Sequence, residues 1–267
     1  MNTRNLSFPH ARAEIDAAGI ATLTMLDAGV LNILSTPVIN GLRAALAELR
    51  DDESVRVLVL RGDSDRAFVA GADIAEMAGL DEQRARRFIS NLRDLCNAVR
   101  HFPVPVIARI PGWCLGGGLE FALACDLRVC ADHAQFGMPE VKVGIPSVIH
   151  AALMPQLIGS ANSAWMLLTG ELIDARRALD WGLVNAAVPE AELDQAVRKL
   201  AKGFAALGPA ALRQQKKLLR GWETMSVDEA IEDSVAEFGA AFNTGEPQKF
   251  MNEFLASKRE GKRESKG

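Results

Sequence analysis

Residues 13–26, AEIDAAGIATLTML, alternate apolar and polar positions around Thr22 and Thr24, the period of a half-buried strand. They predict a hairpin or meander near the start of the chain. Ser35-Thr36-Pro37 then reads as an N-cap with proline in the first turn, and VINGLRAALAELRDD follows with helical spacing. VRVLVLRG is a buried strand by its unbroken apolar run. The helical patches ADIAEM and DEQRARRFISNLRDLCNAVRHF lead to a second such strand, PVIARI. The cycle recurs as GWCLGGGLEFALAC, a loop and helix, followed by the strand DLRVCA. Strand, helix and strand in this order predict an α/β architecture with crossover connections. From about residue 146 the pattern becomes helical, from PSVIHAALMPQLIG through SVDEAIEDSVAEFGAAFNTG, and only VNAAV reads as a short strand. The polar end, SKREGKRESKG, has a composition that favours fraying.

The 267 residues are 49% hydrophobic, enough for a sizeable core. A net charge of −4 and a pI near 5.7 give no general attraction for nucleic acid or an anionic membrane, so an anionic ligand must be held locally. Cys96, Cys114, Cys125 and Cys130 show neither CxxC pairing nor zinc-type spacing with the four histidines. They read as reduced structural thiols, with no metal site. The first residues lack the apolar stretch of a signal peptide, and no later run is long enough for a bilayer, which predicts a cytoplasmic protein.

Three short segments carry candidate chemistry. The first is GWCLGGGLE, residues 112–120, whose adjacent glycines are costly in backbone entropy. It fits neither a P-loop, which needs GK[ST], nor the GxGxxG dinucleotide turn. A tight strand-to-helix connection would explain it, and so would a backbone N–H that must approach a ligand with Glu120 one turn later. The second is AFVAGADI, residues 67–74, where small residues open a helix and leave room beside the backbone. The third is Glu140 in AQFGMPE, a carboxylate among apolar residues and therefore expensive unless solvated or used. A nucleophilic hydrolase is disfavoured because GIPSV lacks GxSxG, and Ser147 with His150 is a helical i,i+3 spacing. Cys114 reads as a small apolar filler.

FVAGADI, PGWCLGGGLE and CDLRVCADHAQFGMPE, in this order, resemble the crotonase superfamily and specifically its enoyl-CoA hydratases. The similarity runs from the first strand to the helical C-terminus. It implies a spiral ββα core over residues 1–200, a helical lid and trimerisation region over 201–267, and a homotrimer or a pair of stacked trimers. It implies that Ala70 and Gly117 lend backbone N–H groups to a thioester oxygen, and that Glu120 and Glu140 are the catalytic acids. Glu140 is expected to protonate the α-carbon and Glu120 to orient and activate water. The coenzyme is expected along Ala70, Gly71, Ala72, Asp73 and Ile74, with Gly116 and Gly117 bordering the substrate. Arg66, and Lys258 or Arg259, are candidates for its phosphates. No separate cofactor is implied, since coenzyme A arrives with the acyl-CoA substrate.

Where the family pattern commonly continues with glycines, this chain reads Ile145-Pro146-Ser147-Val148-Ile149-His150. His150 is a candidate to face the acyl pocket and tune a carboxylate. Double-bond isomerisation, decarboxylation and dehalogenation of acyl thioesters share the same oxyanion logic and remain open. An RNA- or acyl-CoA-binding protein is the non-enzymatic alternative. Both acids being present favours hydration, and the acidic balance disfavours RNA.

Overall fold

The computed structural model describes residues 3–264, with side chains described as far as Lys258. It divides into two compact units, Met1–Phe204 and Ala205–Gly267.

The first unit holds two sheets. The larger has the order β1 (Arg4–Phe8), β2 (Ala11–Ile15), β3 (Ile20–Met25), β4 (Val57–Gly62), β6 (Val106–Ile110), β8 (Leu127–Ala131), β11 (Ala186–Val188). Its first three strands form an antiparallel meander, and every later pairing is parallel. The smaller sheet runs β10 (Ile173–Asp174), β9 (Gln135–Gly137), β7 (Trp113–Leu115), β5 (Ala67–Val69), with β5, β7 and β9 parallel. From β4 to β9 successive strands alternate between the sheets, so each turn of the chain there lays one strand in each before a helix returns it. This is the repeating ββα spiral. The strand read at the start of AFVAGADI is β5, whereas the short strands β7, β9 and β10 were not anticipated from the sequence: two or three residues are too few to show a period.

The helices sit where spacing predicts them. α1 (Thr36–Arg50) turns Leu42, Leu46 and Leu49 inward, and α3 (Glu82–Arg100) buries Phe88, Leu92, Leu95 and Val99. Ser35 is the N-cap residue of α1, yet its side chain makes no capping bond, and Pro37 supplies the start. α2 (Ile74–Ala78) is capped by the Asp73 carboxylate, which accepts from the N–H groups of Ala75 and Glu76. α4 (Gly117–Leu123) is wholly buried. Then come α5 (Met154–Ile158), α6 (Ser160–Thr169), α7 (Ala175–Asp180) and α8 (Leu193–Ala205). All four cysteines are free and buried, and burial pushes the Cys114 thiol well above its ordinary range. They pack as apolar side chains, as the spacing suggested.

The second unit contains α9 (Pro209–Trp222), α10 (Val227–Ala241) and α11 (Glu246–Glu264). The Glu246 carboxylate receives the free N–H groups of Ala210 and Ala211 at the start of α9. Ser226 and Glu229 form a capping box on α10. α11 continues through Ser257 to Glu264, where the polar composition predicted fraying.

Candidate active site

The smaller sheet explains why three distant segments meet. β5, β7 and β9 are adjacent and parallel, so the loops leaving their C-terminal ends emerge side by side. Those loops carry Ala70–Asp73, Gly116–Glu120 and Met138–Glu140. The N–H of Gly116 donates to the Gly137 carbonyl at 2.9 Å, which ties the second loop to the third.

The adjacent glycines answer to separate demands. Gly116 has φ +51° and ψ −127°, and a Cβ there would meet Oε1 of Glu140. Gly118 packs its Cα directly onto the Val69 carbonyl of β5, where a side chain has no room. Gly117 opens α4, and first-turn N–H groups have no intrahelical acceptor. The position its Cβ would occupy is 3.9 Å from the Ala72 nitrogen.

That proximity corrects the expected oxyanion donors. The Ala70 N–H donates to the Leu31 carbonyl at 3.0 Å and is already engaged. Two residues on, the strand-like bridge between Leu34 and Ala72 uses the Gly71 carbonyl and the Asp73 N–H. The Ala72 N–H is left without a hydrogen bond among the described residues. Ala72 and Gly117 are therefore the adjacent pair with N–H groups to offer.

A cavity of about 850 Å3 opens over these loops. Ala70, Gly71, Ala72, Ile74, Gly116, Gly117, Glu120 and Glu140 all line it, and Met77, Phe88, Ile89, Leu92, Ile145 and Val148 give it an apolar wall. Three expected residues do not line it. Asp73 spends its carboxylate on the α2 cap. Arg66 is exposed at the opposite end of β5, before the strand and not after it. His150 is buried, with the cationic Arg100 near it. Burial drives its pKa down to about 4, and its Nδ1 has no partner. The cations bordering the cavity are Arg86, paired with Glu82, and Lys142, paired with Glu171. Lys258 lies in the second unit with its Nζ over the Phe254 ring, and the Arg259 side chain lies outside the described residues.

The two acids share the cavity but not the same surroundings. Glu120 is 3% exposed, and burial raises its pKa to about 8, with the nearby charge of Glu140 adding to the rise. Its Oε1 accepts the Ala151 N–H at 3.1 Å, and the backbone N–H groups of Val148 and His150 also oppose the rise. So His150 serves the site through its backbone and not its ring. Glu140 is half-buried, and burial raises its pKa against the opposing effect of its own backbone N–H and of a hydrogen bond from Ser147 Oγ to Oε2 at 2.9 Å. Burial thus disfavours charge on both acids, and it holds Glu120 in its protonated form up to a pH of about 8. Two acids lining one cavity with a pair of free N–H groups can move protons at adjacent atoms of a substrate whose oxygen gains charge. Ser147 was passed over in the sequence, where it could only be tested as a nucleophile.

Residues 16–263 match the enoyl-CoA hydratase/isomerase family. The chain is 34% identical over 230 residues to a crotonyl-CoA hydratase of Syntrophomonas wolfei, covering 86% of this chain and 88% of that protein. It is 29% identical over 241 residues to a short-chain-enoyl-CoA hydratase of Clostridium acetobutylicum, covering 90% of this chain and 92% of that protein. Among solved structures, an enoyl-CoA hydratase from Mycobacterium smegmatis superposes with a TM-score of 0.84 at 29% identity, covering 87% of this chain and 91% of that one.

Proposed function

The chain belongs to the enoyl-CoA hydratase/isomerase family, and from that premise we propose that it is an enoyl-CoA hydratase, adding water reversibly across the double bond of a trans-2-enoyl-CoA thioester. The observation that carries this reading is the placement of Glu120 and Glu140 in one cavity above the free N–H groups of Ala72 and Gly117. As water attacks the β-carbon, electron density moves to the thioester oxygen, and two preorganised donors hold the resulting charge. Removing one such donor typically lowers turnover by about 10²–10³-fold. One acid accepts a proton from water while the other gives a proton to the α-carbon, and transfer within the pair then restores the starting state. Hydration needs one carboxylate and one carboxylic acid, and the proximity of two buried acids disfavours charge on both at once. Because the acids act as a coupled pair, each proton step belongs to the pair.

Double-bond isomerisation needs only one acid to shuttle a proton, and a second buried carboxyl would then be an expense without a use. The coenzyme's phosphates find Arg86 and Lys142 beside the cavity mouth in place of Arg66. Coenzyme A arrives with the substrate, so the reaction draws on no further organic cofactor or metal in this reading. We also assign a homotrimer or a pair of stacked trimers, located in the cytoplasm and serving fatty-acid metabolism. Val227, Ile231, Val235 and Phe238 form an exposed apolar row along α10, which supports assembly through that helix. Among the described residues no helix is long and apolar enough to cross a membrane.

A panel of enoyl-CoA thioesters of differing length and branching, followed by loss of the conjugated absorbance, tests the reading. Hydration of at least one member, lost on changing either acid to glutamine, is expected. No hydration of any member would overturn it.

A further inference from the structure

We propose that Ser147 is a positioning residue for Glu140, its hydroxyl holding one carboxyl oxygen while the bare Cα of Gly116 gives the other a seat facing the substrate. The inference rests on the hydratase reading for its kinetic consequence and on geometry alone for its structural one.

The chain is built to return residue 147 to residue 140. Pro139–Val143 form a single 310 turn ended by Gly144 in the left-handed conformation, at φ +81°. The Ile145 N–H then donates to the Glu140 carbonyl at 3.2 Å, which closes the turn and carries Pro146 and Ser147 over the acid. Ser147 Oγ lies 2.9 Å from Glu140 Oε2, and this is the only hydrogen bond the hydroxyl makes among the described residues. The opposite oxygen, Oε1, lies against Gly116, where even a methyl group would stand 2.5 Å away. Both oxygens are thus fixed, one by a donor and one by the absence of a side chain.

The two acids are supported by different kinds of group. Glu120 is held by the Ala151 N–H, with Val148 and His150 beside it, and among the natural residues only proline lacks such a donor. Glu140 has, besides its own backbone N–H, a side-chain donor, so its orientation and charge depend in part on which residue stands at 147. An O–H donor to a carboxylate favours the ionised form and shortens the range of rotamers the acid samples. Ser147 would therefore set both where Glu140 points and the pH at which it ionises.

The charged groups around Glu140 leave that role to the hydroxyl. Glu120 on α4 faces it across the cavity and raises the cost of charge on either acid. Lys142, on the same 310 turn, pairs with Glu171, and Arg86 of α3 pairs with Glu82 on its own helix. α6, which packs against the turn, contributes no charged side chain. None of these pairings involves residue 147.

The test uses the full chain and two substitutions, Ser147→Ala and Ser147→Thr. In a Glu120→Gln background, the carbon-13 carboxyl signal that disappears in Glu140→Gln reports the titration of Glu140 directly. Ser147→Ala should move that titration upward by about one pH unit, the size of one charge-assisted hydrogen bond, and Ser147→Thr should return it. With Glu120 present, Ser147→Ala should lower kcat by about tenfold and shift the limb on which Glu140 ionises to higher pH, with KM changed less than about twofold. Threonine should recover most of kcat. An unchanged titration, a loss confined to KM, or a threonine variant no better than alanine would overturn the proposal. If the unsubstituted protein hydrates no enoyl thioester, the hydratase reading fails while the carboxyl titration still decides the role of Ser147.

Discussion

Gly116 and Glu140 occupy one another's space: the acid's Oε1 lies where a side chain on the glycine would begin, 2.5 Å from an idealised Cβ. The glycine also sits at φ +51° and ψ −127°, a conformation that L-residues avoid. Gly116→Ala therefore meets two penalties at once. Backbone strain of this kind costs about 1–3 kcal/mol, which urea denaturation of the variant should register. Displacing Glu140 should lower kcat by at least about 10²-fold, because an acid must be within hydrogen-bond reach to transfer a proton. A folded Gly116→Ala enzyme with near-normal turnover would separate the glycine from the catalytic acid.

Glu120→Gln should gain stability while losing activity. Burial holds the folded carboxyl's pKa at about 8, against an ordinary value of 4.5 in the unfolded chain, so the folded state binds the extra proton between these limits. Stability accordingly falls as pH rises from about 4.5 to about 8 and stays low above that. Glutamine keeps the shape and the acceptor for the Ala151 N–H but escapes the ionisation penalty. By the linkage relation the variant should be more stable above pH 8 by up to about 3–5 kcal/mol, with the advantage vanishing near pH 4.5. Thermal melts across this range, beside a turnover reduced at least about 10²-fold, are the expected pair of results. A Glu120→Gln protein no more stable than its parent at high pH would mean the carboxyl ionises freely.

The donors of the oxyanion pocket can be told apart by replacing single backbone amides with esters. At Ala72 the N–H makes no bond within the described residues, so an ester there should leave the fold intact and cut kcat by about 10²–10³-fold. At Ala70 the same change breaks the 3.0 Å bond to the Leu31 carbonyl, and should lower stability by about 1 kcal/mol with a smaller effect on turnover. Gly117→Pro gives an independent check, since proline suits the first position of a helix and removes the N–H. Full activity in a folded Gly117→Pro enzyme would put the oxyanion elsewhere.

Much of this was legible in the sequence, and the gaps have physical causes. The apolar runs of β4, β6 and β8 and the spacing of α1 and α3 are long enough to show their period. β5, β7 and β9 are three residues each and carry no period, yet their parallel alignment is what gathers Ala72, Gly117 and Glu140. The acids and glycines were visible as residue types that cost free energy where they stood. Which amide of AGAD is free was not visible, because it depends on the Leu31 and Leu34 backbone passing alongside. The contact of Ser147 with Glu140 was not visible for the same reason: only the left-handed turn at Gly144 folds it back onto the acid.

His150 offers a prediction that leaves catalysis largely aside. Its ring is buried, it does not line the cavity, and its Nδ1 has no partner, so protonation in the folded state is unfavourable and its pKa is lowered to about 4. The nearby cationic Arg100 works in the same direction as burial. The unfolded chain takes up this proton near 6.5, its ordinary value, so between 6.5 and 4 the unfolded state holds more protons than the folded one. Stability from this residue is therefore complete above about pH 6.5 and declines as the pH falls toward 4, by at most about 3 kcal/mol. His150→Gln removes the titration, so it should be relatively more stable at pH 5 than at pH 7 when each is compared with the parent protein. Its acyl-chain preference should be unchanged, since the imidazole does not line the cavity. Melting curves that shift equally at both pH values, or an altered acyl preference, would show that the ring is ionised or placed differently from this account.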